Sequence, residues 1–286
     1  MFKRRKEIDM SNRIKLIIVF IILLVFLTCM YLFRPKIDDN NYNFKIYFFN
    51  AGKADCILIS NNGKYIMIDT GEESLSSEIL AYFNTNNITK LDYLIITHFD
   101  KDHVGSASRI INSIEIDNIL QSNCPKESEY YTNYLNALTE KNITPITISG
   151  DETFTLEELN IVVNGPTDIY DSNESNNSSL IVEINYKNTN YLFMGDSQND
   201  RIKDYLEQSD KEFDFIKIPY HGNYQKRLSD LIEATNPHYA VVTCSSTEPD
   251  ISETMELLKG MNINYYLTKD GSITVQSDGD NIYIKQ

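Results

Sequence analysis

The chain has 286 residues, a formal net charge of −15 and 42% apolar residues. A chain of this length holds one large domain or two small ones, and its apolar content is enough for a sizeable core. The four cysteines form no CxxC pair, which argues against a cysteine zinc site and against a disulfide framework.

The acidic charge is concentrated after the N-terminal segment. Residues 1–33 contain six basic and two acidic residues, which leaves 20 basic and 39 acidic residues, a net charge of −19, in residues 34–286. This balance argues against an extended surface that grips phosphates. A polyanionic substrate would therefore depend on metal ions or on a local basic patch.

The N-terminal segment has the pattern of a membrane anchor. A basic tail, residues 1–15, precedes an uncharged apolar run, residues 16–33, and a polar linker, residues 34–43. At about 1.5 Å per residue the run nearly spans a bilayer core of about 30 Å. The basic residues before it predict a single-pass cell-membrane protein with a cytoplasmic N-terminus and an extracellular main domain. A cleaved signal peptide is the alternative, but its apolar region should be shorter and followed by small residues.

Residues 44–286 have the pattern of an α/β domain. In its first half we predict strands at 44–50, 55–60, 65–69, 93–96, 116–121, 146–148, 153–155 and 160–164, with a hairpin turn at 61–64. We predict three helices there: one at 75–84, one that follows the strand at 93–96 and its loop and ends at residue 113, and one at 127–142. In its second half we predict strands at 180–186, 190–194, 213–218 and 238–243, helices at 198–208, 225–234 and 252–260, and a closing hairpin at 263–285. Strands followed by helices in both halves predict two sheets packed face to face with helices outside.

Candidate metal ligands are concentrated between the strand at 93–96 and the next helix. His98, Asp100, Asp102 and His103 lie within six residues on a predicted loop. A loop can direct its side chains to one point, whereas a strand sends alternate residues to opposite faces. Imidazole and carboxylate groups together suit zinc, manganese or iron, so we predict a metal site rather than a solvated polar loop.

Two more candidates follow later strands. Asp196 and His221 each come at the end of a predicted strand, and ligands at one edge of a sheet sandwich can converge on one or two metal ions. His238 differs because it opens an apolar strand, and we interpret it as a structural residue.

At this point the chain resembles a known family. Residues 98–103 resemble the metal-binding motif of the metallo-β-lactamase superfamily in its HxDxDH variant, which is typical of the hydrolase domain of the competence DNA-uptake channel ComEC and its stand-alone relatives. Further segments that resemble family motifs are 50–56, 68–71, 176–180, 193–196 and 217–222. The resemblance implies an αββα four-layer sandwich, here preceded by one transmembrane helix.

The resemblance also assigns roles by position. His98 and Asp100 would bind one metal ion, Asp102, His103 and His221 the other, and Asp196 would bridge the two. Asp102 and Asp196 would be the catalytic carboxylates. Asp69 would either orient a ligand histidine or cap the turn at 70–71, and Asn177, Ser178 and Tyr220 would support the ligands or contact the substrate.

Two departures from the family pattern affect the predicted metal content. Tyr220 replaces one of two adjacent histidines, and Asn177 and Ser178 stand where classical members offer a histidine. Because Asp100 also replaces a histidine, the first site is rich in oxygen ligands and should bind metal more weakly. We expect one or two divalent ions, Zn²⁺ or Mn²⁺, with Mg²⁺ as an alternative.

The resemblance implies a metal-dependent hydrolase, and the predicted membrane anchor implies that it acts outside the cell. We predict a phosphodiesterase or nuclease that uses metal-activated water, with a nucleic acid or another phosphodiester as substrate and no inferred protein partner. The enzymatic alternative is a hydrolase of a small phosphodiester or a cell-envelope component. The non-enzymatic alternative is a binding module with a decayed metal site. The departures noted above disfavour β-lactam hydrolysis.

Overall fold

The structure is a computed structural model that describes residues 14, 15, 17–24, 42–168, 170 and 172–286. The chain separates into two compact units, Met1–Asn41 and Tyr42–Gln286. In the smaller unit, residues 14, 15 and 17–24 are helical and exposed.

The anchor predicted at residues 16–33 lies largely outside the described residues, which include only 17–24 of it. Within the described part of the chain, no helix is both long enough and apolar enough to cross a membrane. The anchor therefore stays a prediction.

The larger unit contains two β-sheets. Its strands are β1 (Phe44–Phe48), β2 (Cys56–Asn61), β3 (Lys64–Thr70), β4 (Lys90–Ile96), β5 (Glu115–Ser122), β6 (Ile146–Ile148), β7 (Asp151–Leu156), β8 (Leu159–Asn164), β9 (Ile181–Tyr186), β10 (Thr189–Phe193), β11 (Phe215–Lys217), β12 (Tyr239–Val242), β13 (Asn264–Leu267), β14 (Ile273–Ser277) and β15 (Ile282–Lys285). The first sheet has the order β15-β14-β1-β2-β3-β4-β5-β6, and the second has the order β13-β12-β11-β10-β9-β8-β7.

Helices occupy the connections between these strands. They are α1 (Ser76–Thr85), α2 (Lys101–Val104), α3 (Ala107–Ser113), α4 (Glu129–Lys141), α5 (Asn199–Gln208), α6 (Leu228–Thr235) and α7 (Ser252–Gly260). Short 3-10 turns lie at Glu73–Leu75, Ser172–Ser178, Tyr220–Gly222 and Thr268–Asp270. Helix α4 shows why the ends fall where they do: the Ser128 hydroxyl accepts from the backbone N–H of Tyr131, and Asn142 ends the helix in the left-handed conformation.

Three apolar cores define four layers. The central core joins the inner faces of the two sheets, where the rings of Phe44 and Tyr186 stack with centroids 4.7 Å apart. A second core lies between the first sheet and helices α1, α3 and α4, and a third lies between the second sheet and helices α5, α6 and α7. Helices therefore cover the outer face of each sheet, and the predicted αββα sandwich is confirmed.

Strand direction explains the position of the functional site. Strands β3, β4 and β5 run parallel in the first sheet, and β10, β11, β12 and β13 run parallel in the second. The carboxyl ends of parallel strands meet at one edge of a sheet, where ligand sites are usual. The chain segments that follow β4, β10 and β11 carry the predicted ligands.

The closing hairpin predicted at residues 263–285 is wrong. Strand β13 instead joins the second sheet, parallel to β12, and only β14 and β15 form a hairpin, in the first sheet. Helix α7 between β12 and β13 makes a strand–helix–strand crossover, which places β13 beside β12. The turn signals before β14 do not reveal that the chain changes sheets there.

The loop predicted for the HxDxDH motif is partly wrong. Asp102 and His103 lie in the short helix α2, because the carbonyl of Asp100 accepts from the backbone N–H groups of His103 and Val104, both at 2.9 Å. His98 and Asp100 remain on the loop. The helix turns Asp102 and His103 towards the second sheet.

Helix α4 offers a matched test of the core. Leu138 is buried and Leu135 is exposed on this helix. We expect Leu138→Ala to lower the free energy of unfolding by about 2–5 kcal/mol, because it leaves a cavity. Leu135→Ala should change it by less than about 0.5 kcal/mol. Urea unfolding in EDTA measures both, and equal losses would contradict the assigned packing.

Candidate metal centre

Four of the six predicted ligands form one cluster. The ligand atoms of Asp102, His103, Asp196 and His221 all lie within 4.8 Å of one another. Asp102 and His103 come from helix α2, Asp196 follows strand β10, and His221 lies in the turn after β11. The cluster therefore joins the edges of both sheets.

The cluster is arranged around the carboxylate of Asp196. Its Oδ2 atom lies 3.3 Å from His103 Nε2 and 3.1 Å from His221 Nε2. Among the described residues, the buried Nε2 atoms of His98, His103 and His221 and the Oδ1 atom of Asp196 have no hydrogen-bond partner. Buried polar atoms are nearly always satisfied, so converging unsatisfied nitrogen and oxygen atoms fit a cation.

Asp69 orients one of the ligand histidines. Its Oδ2 atom lies 2.8 Å from His103 Nδ1, and its two oxygens accept from the Thr97 backbone N–H at 2.8 Å and from the Thr97 hydroxyl at 2.6 Å. A proton held on Nδ1 by this carboxylate leaves the Nε2 lone pair directed at the cluster. The contact supports the orienting role among the two predicted for Asp69.

His221 is held differently. Its Nδ1 atom lies 3.1 Å from the carbonyl oxygen of Thr243, which again directs Nε2 to the cluster. Tyr220 and His221 have φ angles of +50° and +53°, in the left-handed region that such residues rarely adopt. Gly222 follows at φ +80°, and a Cβ atom there would lie 2.5 Å from Val242 Cγ1. The turn therefore requires this glycine and stores backbone strain at the site.

Sequence analysis missed a buried ion pair behind the cluster. Lys217 forms an ion pair with Asp55, donates to the carbonyl of Gly195 at 3.0 Å, and lies 3.9 Å from Asp196 Oδ1. Asp55 also accepts from the Thr243 hydroxyl at 2.6 Å. Asp55 lies within the family-like segment 50–56 and Lys217 within 217–222, and membership in these segments is the signal that could have identified them.

Charge in the cluster shifts its pKa values. Burial would raise the pKa of Asp196, but the neighbouring charges of His221 and His103 hold it well below its usual range. Burial lowers the pKa of His103 and of His221, but Asp196 and the other nearby carboxylates outweigh burial, so the net pKa of each is raised. Protons and a metal ion therefore compete for the same Nε2 atoms.

His98 and Asp100 lie beside the four-residue cluster but outside it: the rings of His98 and His103 have centroids 4.0 Å apart. His98 Nε2 lies 3.8 Å from Asp100 Oδ1, and His98 Nδ1 lies 3.2 Å from the Thr97 hydroxyl. Asp100 forms an ion pair with Lys126 and accepts from the Ser175 hydroxyl at 2.6 Å. Burial lowers the pKa of His98, and the charge of His103 lowers it further.

The remaining predicted residues fall in three places. Asn177 accepts from the backbone N–H of Gln198 at 3.2 Å, near the start of α5, and the Ser178 hydroxyl donates to the Ser175 carbonyl at 2.6 Å, so both hold the turn at Ser172–Ser178. The residue of this segment that supports a ligand is Ser179, which sequence analysis missed: its hydroxyl oxygen accepts from the backbone N–H of Asp196 at 3.1 Å. Tyr220 lines the cleft above the cluster. His238 is exposed, away from the cluster.

A cleft of about 380 Å³ opens onto the cluster. Asp102, Asp196 and Tyr220 are among the residues that line it. Three lysines also line it, although the chain as a whole is acidic: Lys53, Lys101 and Lys126. Lys53 Nζ lies 3.9 Å from Asp102 Oδ2 and 5.9 Å from the centroid of the Tyr220 ring.

Asp69→Asn tests the orientation of His103. The amide can still accept from Thr97 but can donate to His103 Nδ1, which moves the ring proton to Nε2 and removes the ligand lone pair. We expect metal affinity to fall about 10–100-fold, measured by calorimetric titration.

The matched control for this change is Asp92→Asn. Asp92 is also buried, and it binds Lys64 and the backbone of Tyr65 instead of the site. Its replacement should leave metal affinity unchanged. Equal losses in the two variants would show that Asp69 acts only through stability.

Comparisons with known proteins agree with this geometry. Residues 50–245, more than half of the chain, match the model of the metallo-β-lactamase superfamily. Recombination protein 2 of Haemophilus influenzae is 24% identical over 207 residues, which cover 70% of this chain and 24% of that protein. ComE operon protein 3 of Bacillus subtilis is 22% identical over 172 residues, which cover 59% of this chain and 22% of that protein. The chain thus spans about a quarter of the length of these curated relatives.

A solved structure supports the fold. The metallo-β-lactamase fold protein YhfI from Bacillus subtilis has a TM-score of 0.58 and 10% identity, and the match covers 85% of this chain and 99% of that one. At this identity the likeness concerns the fold alone. The family match and the two curated relatives confirm the predicted resemblance to competence-related proteins. The chain belongs to the metallo-β-lactamase superfamily, whose members are generally metal-dependent hydrolases.

Proposed function

We propose that the protein is a metal-dependent phosphodiesterase that cleaves DNA or another nucleic acid. The observation that carries this proposal is the group of three lysines in the cleft above the metal cluster. An acidic chain can attract a polyanion only where a local basic patch offsets its charge. The cleft supplies that patch beside the four gathered ligands.

The cleft also has features that suit a nucleotide. Its volume of about 380 Å³ is in the range of small-molecule sites. Tyr130 and Tyr220 line it and offer aromatic rings, on which bases of any type can stack. Lysine ammonium groups beside aromatic rings are a usual combination in proteins that bind single-stranded nucleic acid.

Each group near the cluster has a chemical role in this proposal. Asp102, His103, Asp196 and His221 would hold a divalent cation, which supplies Lewis acidity and makes water a nucleophile near neutral pH. Asp102 is the most accessible of these four side chains, so its carboxylate can accept a proton from the attacking water. Lys53 lies beside Asp102 and can donate to a phosphate oxygen.

The acidic body favours a second candidate, a hydrolase of a small phosphodiester. Residues 34–286 contain 39 acidic and 20 basic residues, so a long nucleic acid would meet a mostly acidic chain outside the cleft. A short substrate would contact only the cleft and would avoid this repulsion. The two candidates differ in salt dependence, because each phosphate contact of a long chain steepens it.

Hydrolysis assays separate these possibilities. Purified residues 38–286 would be tested on single-stranded DNA, double-stranded DNA and a small chromogenic phosphodiester, with Mn²⁺, Zn²⁺ or EDTA. We expect DNA cleavage that EDTA abolishes and that Asp102→Asn lowers roughly 100-fold or more, because the variant loses a ligand charge. Lys53→Gln should raise KM for DNA and reduce the salt dependence, whereas Lys259→Gln, on helix α7, should do neither.

Three other results of these assays would each favour a different function. Cleavage of the small phosphodiester alone, with weak salt dependence, would favour the second candidate. Binding of metal without cleavage of any phosphodiester would contradict the proposal and leave envelope polymers as substrates. Absence of both metal and cleavage would favour the binding module with a decayed site.

We further propose that residues 16–33 anchor the protein in the cell membrane, with the catalytic domain outside. The uncharged run and the preceding basic residues support this location. The full chain should enter the membrane fraction, and protease added to intact cells should digest residues 42–286. Residues 38–286 produced alone should stay in the soluble fraction. Recovery of the full chain in the soluble fraction, or protection from the protease, would contradict the proposal.

A further inference from the structure

We infer that the centre binds a single metal ion and that the ammonium group of Lys126 takes the place of a second one. The number of metal ions follows from the contacts of Asp100 and does not need the proposed function. The role of Lys126 towards a phosphate rests on the proposed function.

The carboxylate of Asp100 already forms an ion pair with a lysine side chain. Its Oδ1 atom forms an ion pair with Lys126 and accepts from the Ser175 hydroxyl at 2.6 Å. Lys126 Nζ also donates to Ser175 Oγ at 3.1 Å, so the three residues form a closed hydrogen-bond network. Lys126 lies between β5 and α4, and Ser175 lies in the turn at Ser172–Ser178, so two separate loops support the pair.

The ligands left for a first metal site are few. Among the described residues, the clusters of three or more metal-binding groups include neither His98 nor Asp100. The second site, by contrast, gathers Asp102, His103, Asp196 and His221. A metal ion bound to Asp100 would have to displace the ammonium group or lie beside it, and two cations in contact repel each other strongly.

The charges of the predicted ligands lead to the same result. Asp100, Asp102 and Asp196 bring three negative charges to the centre, while His98, His103 and His221 are neutral when they bind a metal. With Asp55, Asp69, Lys53 and Lys217 included, the centre has five carboxylates and, with Lys126, three ammonium groups, so one divalent ion balances the difference. A second divalent ion would add positive charge beside Lys126, and Asp100, one of its two predicted ligands, is already paired with that lysine.

The position of Lys126 also gives it a task. Lys126 lines the same cleft as Lys53 and Tyr220, above Asp102 and Asp196. In a two-metal hydrolase the second ion clamps an oxygen of the phosphoryl group. An ammonium group at this position can donate to that oxygen and carry part of the same charge stabilisation.

Metal stoichiometry tests the inference without substrate. The full chain would be dialysed against Mn²⁺, freed of unbound ions, and analysed for metal content by elemental analysis. Wild type should hold about one ion per chain, and Lys126→Leu about two, because the change frees Asp100 and removes the repelling charge. Lys126→Arg keeps the charge and should hold about one.

Lys101→Leu is the matched control. Lys101 lines the same cleft but pairs with Glu72 at 3.0 Å, so its removal should leave the metal content at about one ion. In the wild-type background, His98→Gln and Asp100→Asn should also keep about one ion, whereas His221→Gln should lose it. The electron paramagnetic resonance spectrum of Mn²⁺ gives a second readout, since an isolated ion and an exchange-coupled pair differ in hyperfine pattern.

The outcomes separate this inference from the proposed function. Two ions in wild type, or one ion in a folded Lys126→Leu protein, would overturn the role of Lys126, even if the protein cleaves DNA. The expected metal contents together with no cleavage of any phosphodiester would overturn the proposed function and leave the single-metal centre standing. No bound metal in any of these proteins would overturn both.

Discussion

The ion pair between Lys217 and Asp55 is the interaction on which the centre most depends. Asp55 precedes β2 in the first sheet, and Lys217 ends β11 in the second, so the pair joins the two halves of the sandwich at the metal cluster. Both side chains are almost fully buried, and a buried charge that loses its partner destabilises a protein by about 3–5 kcal/mol. Because Lys217 also contacts Gly195 and lies near Asp196, the pair fixes the carboxylate of Asp196 as it joins the sheets.

The ligands are held in place from behind. Asp69 holds His103, and the Thr243 carbonyl holds His221, so both imidazoles direct Nε2 to Asp196 before any metal binds. The left-handed backbone at His221 opposes this arrangement, since it costs of the order of 1–3 kcal/mol. The surroundings retain it: Tyr220 donates its backbone N–H to Gly195 at 3.2 Å, and the Thr254 hydroxyl donates to Gly222 at 2.7 Å. Preorganisation of this kind lets a cation bind without rebuilding the site.

The features of the fold and site that depend on local sequence pattern could be predicted from the sequence. Apolar strands, polar ends and the HxDxDH spacing were enough to predict the sandwich, and they predicted that polar side chains would gather at its edge. Four of the six candidate ligands do so, because strand direction places those ends together. The pairing of Asp100 with Lys126 and Ser175 had no such signal, since loops distant in the sequence meet only in the folded chain. The sheet change before β14 was missed for the same reason. The membrane anchor stays a prediction from hydropathy and charge.

The acidic composition of the chain is compatible with a lysine-lined cleft, because the carboxylates of the candidate ligands lie beside those lysines. Asp102 and Asp100 lie beside Lys53 and Lys126, so without a metal ion the negative ligands offset the lysines of the cleft. A divalent cation bound at the cluster would neutralise the charge of Asp102 and leave Lys53 free to attract a phosphate. For the proposed phosphodiester substrate, substrate affinity would then be linked to metal affinity, and the linkage would be reciprocal: the bound substrate would strengthen metal binding by the same factor. On the proposed function, this acidic chain would bind a polyanion at the cleft and only while the metal ion is bound.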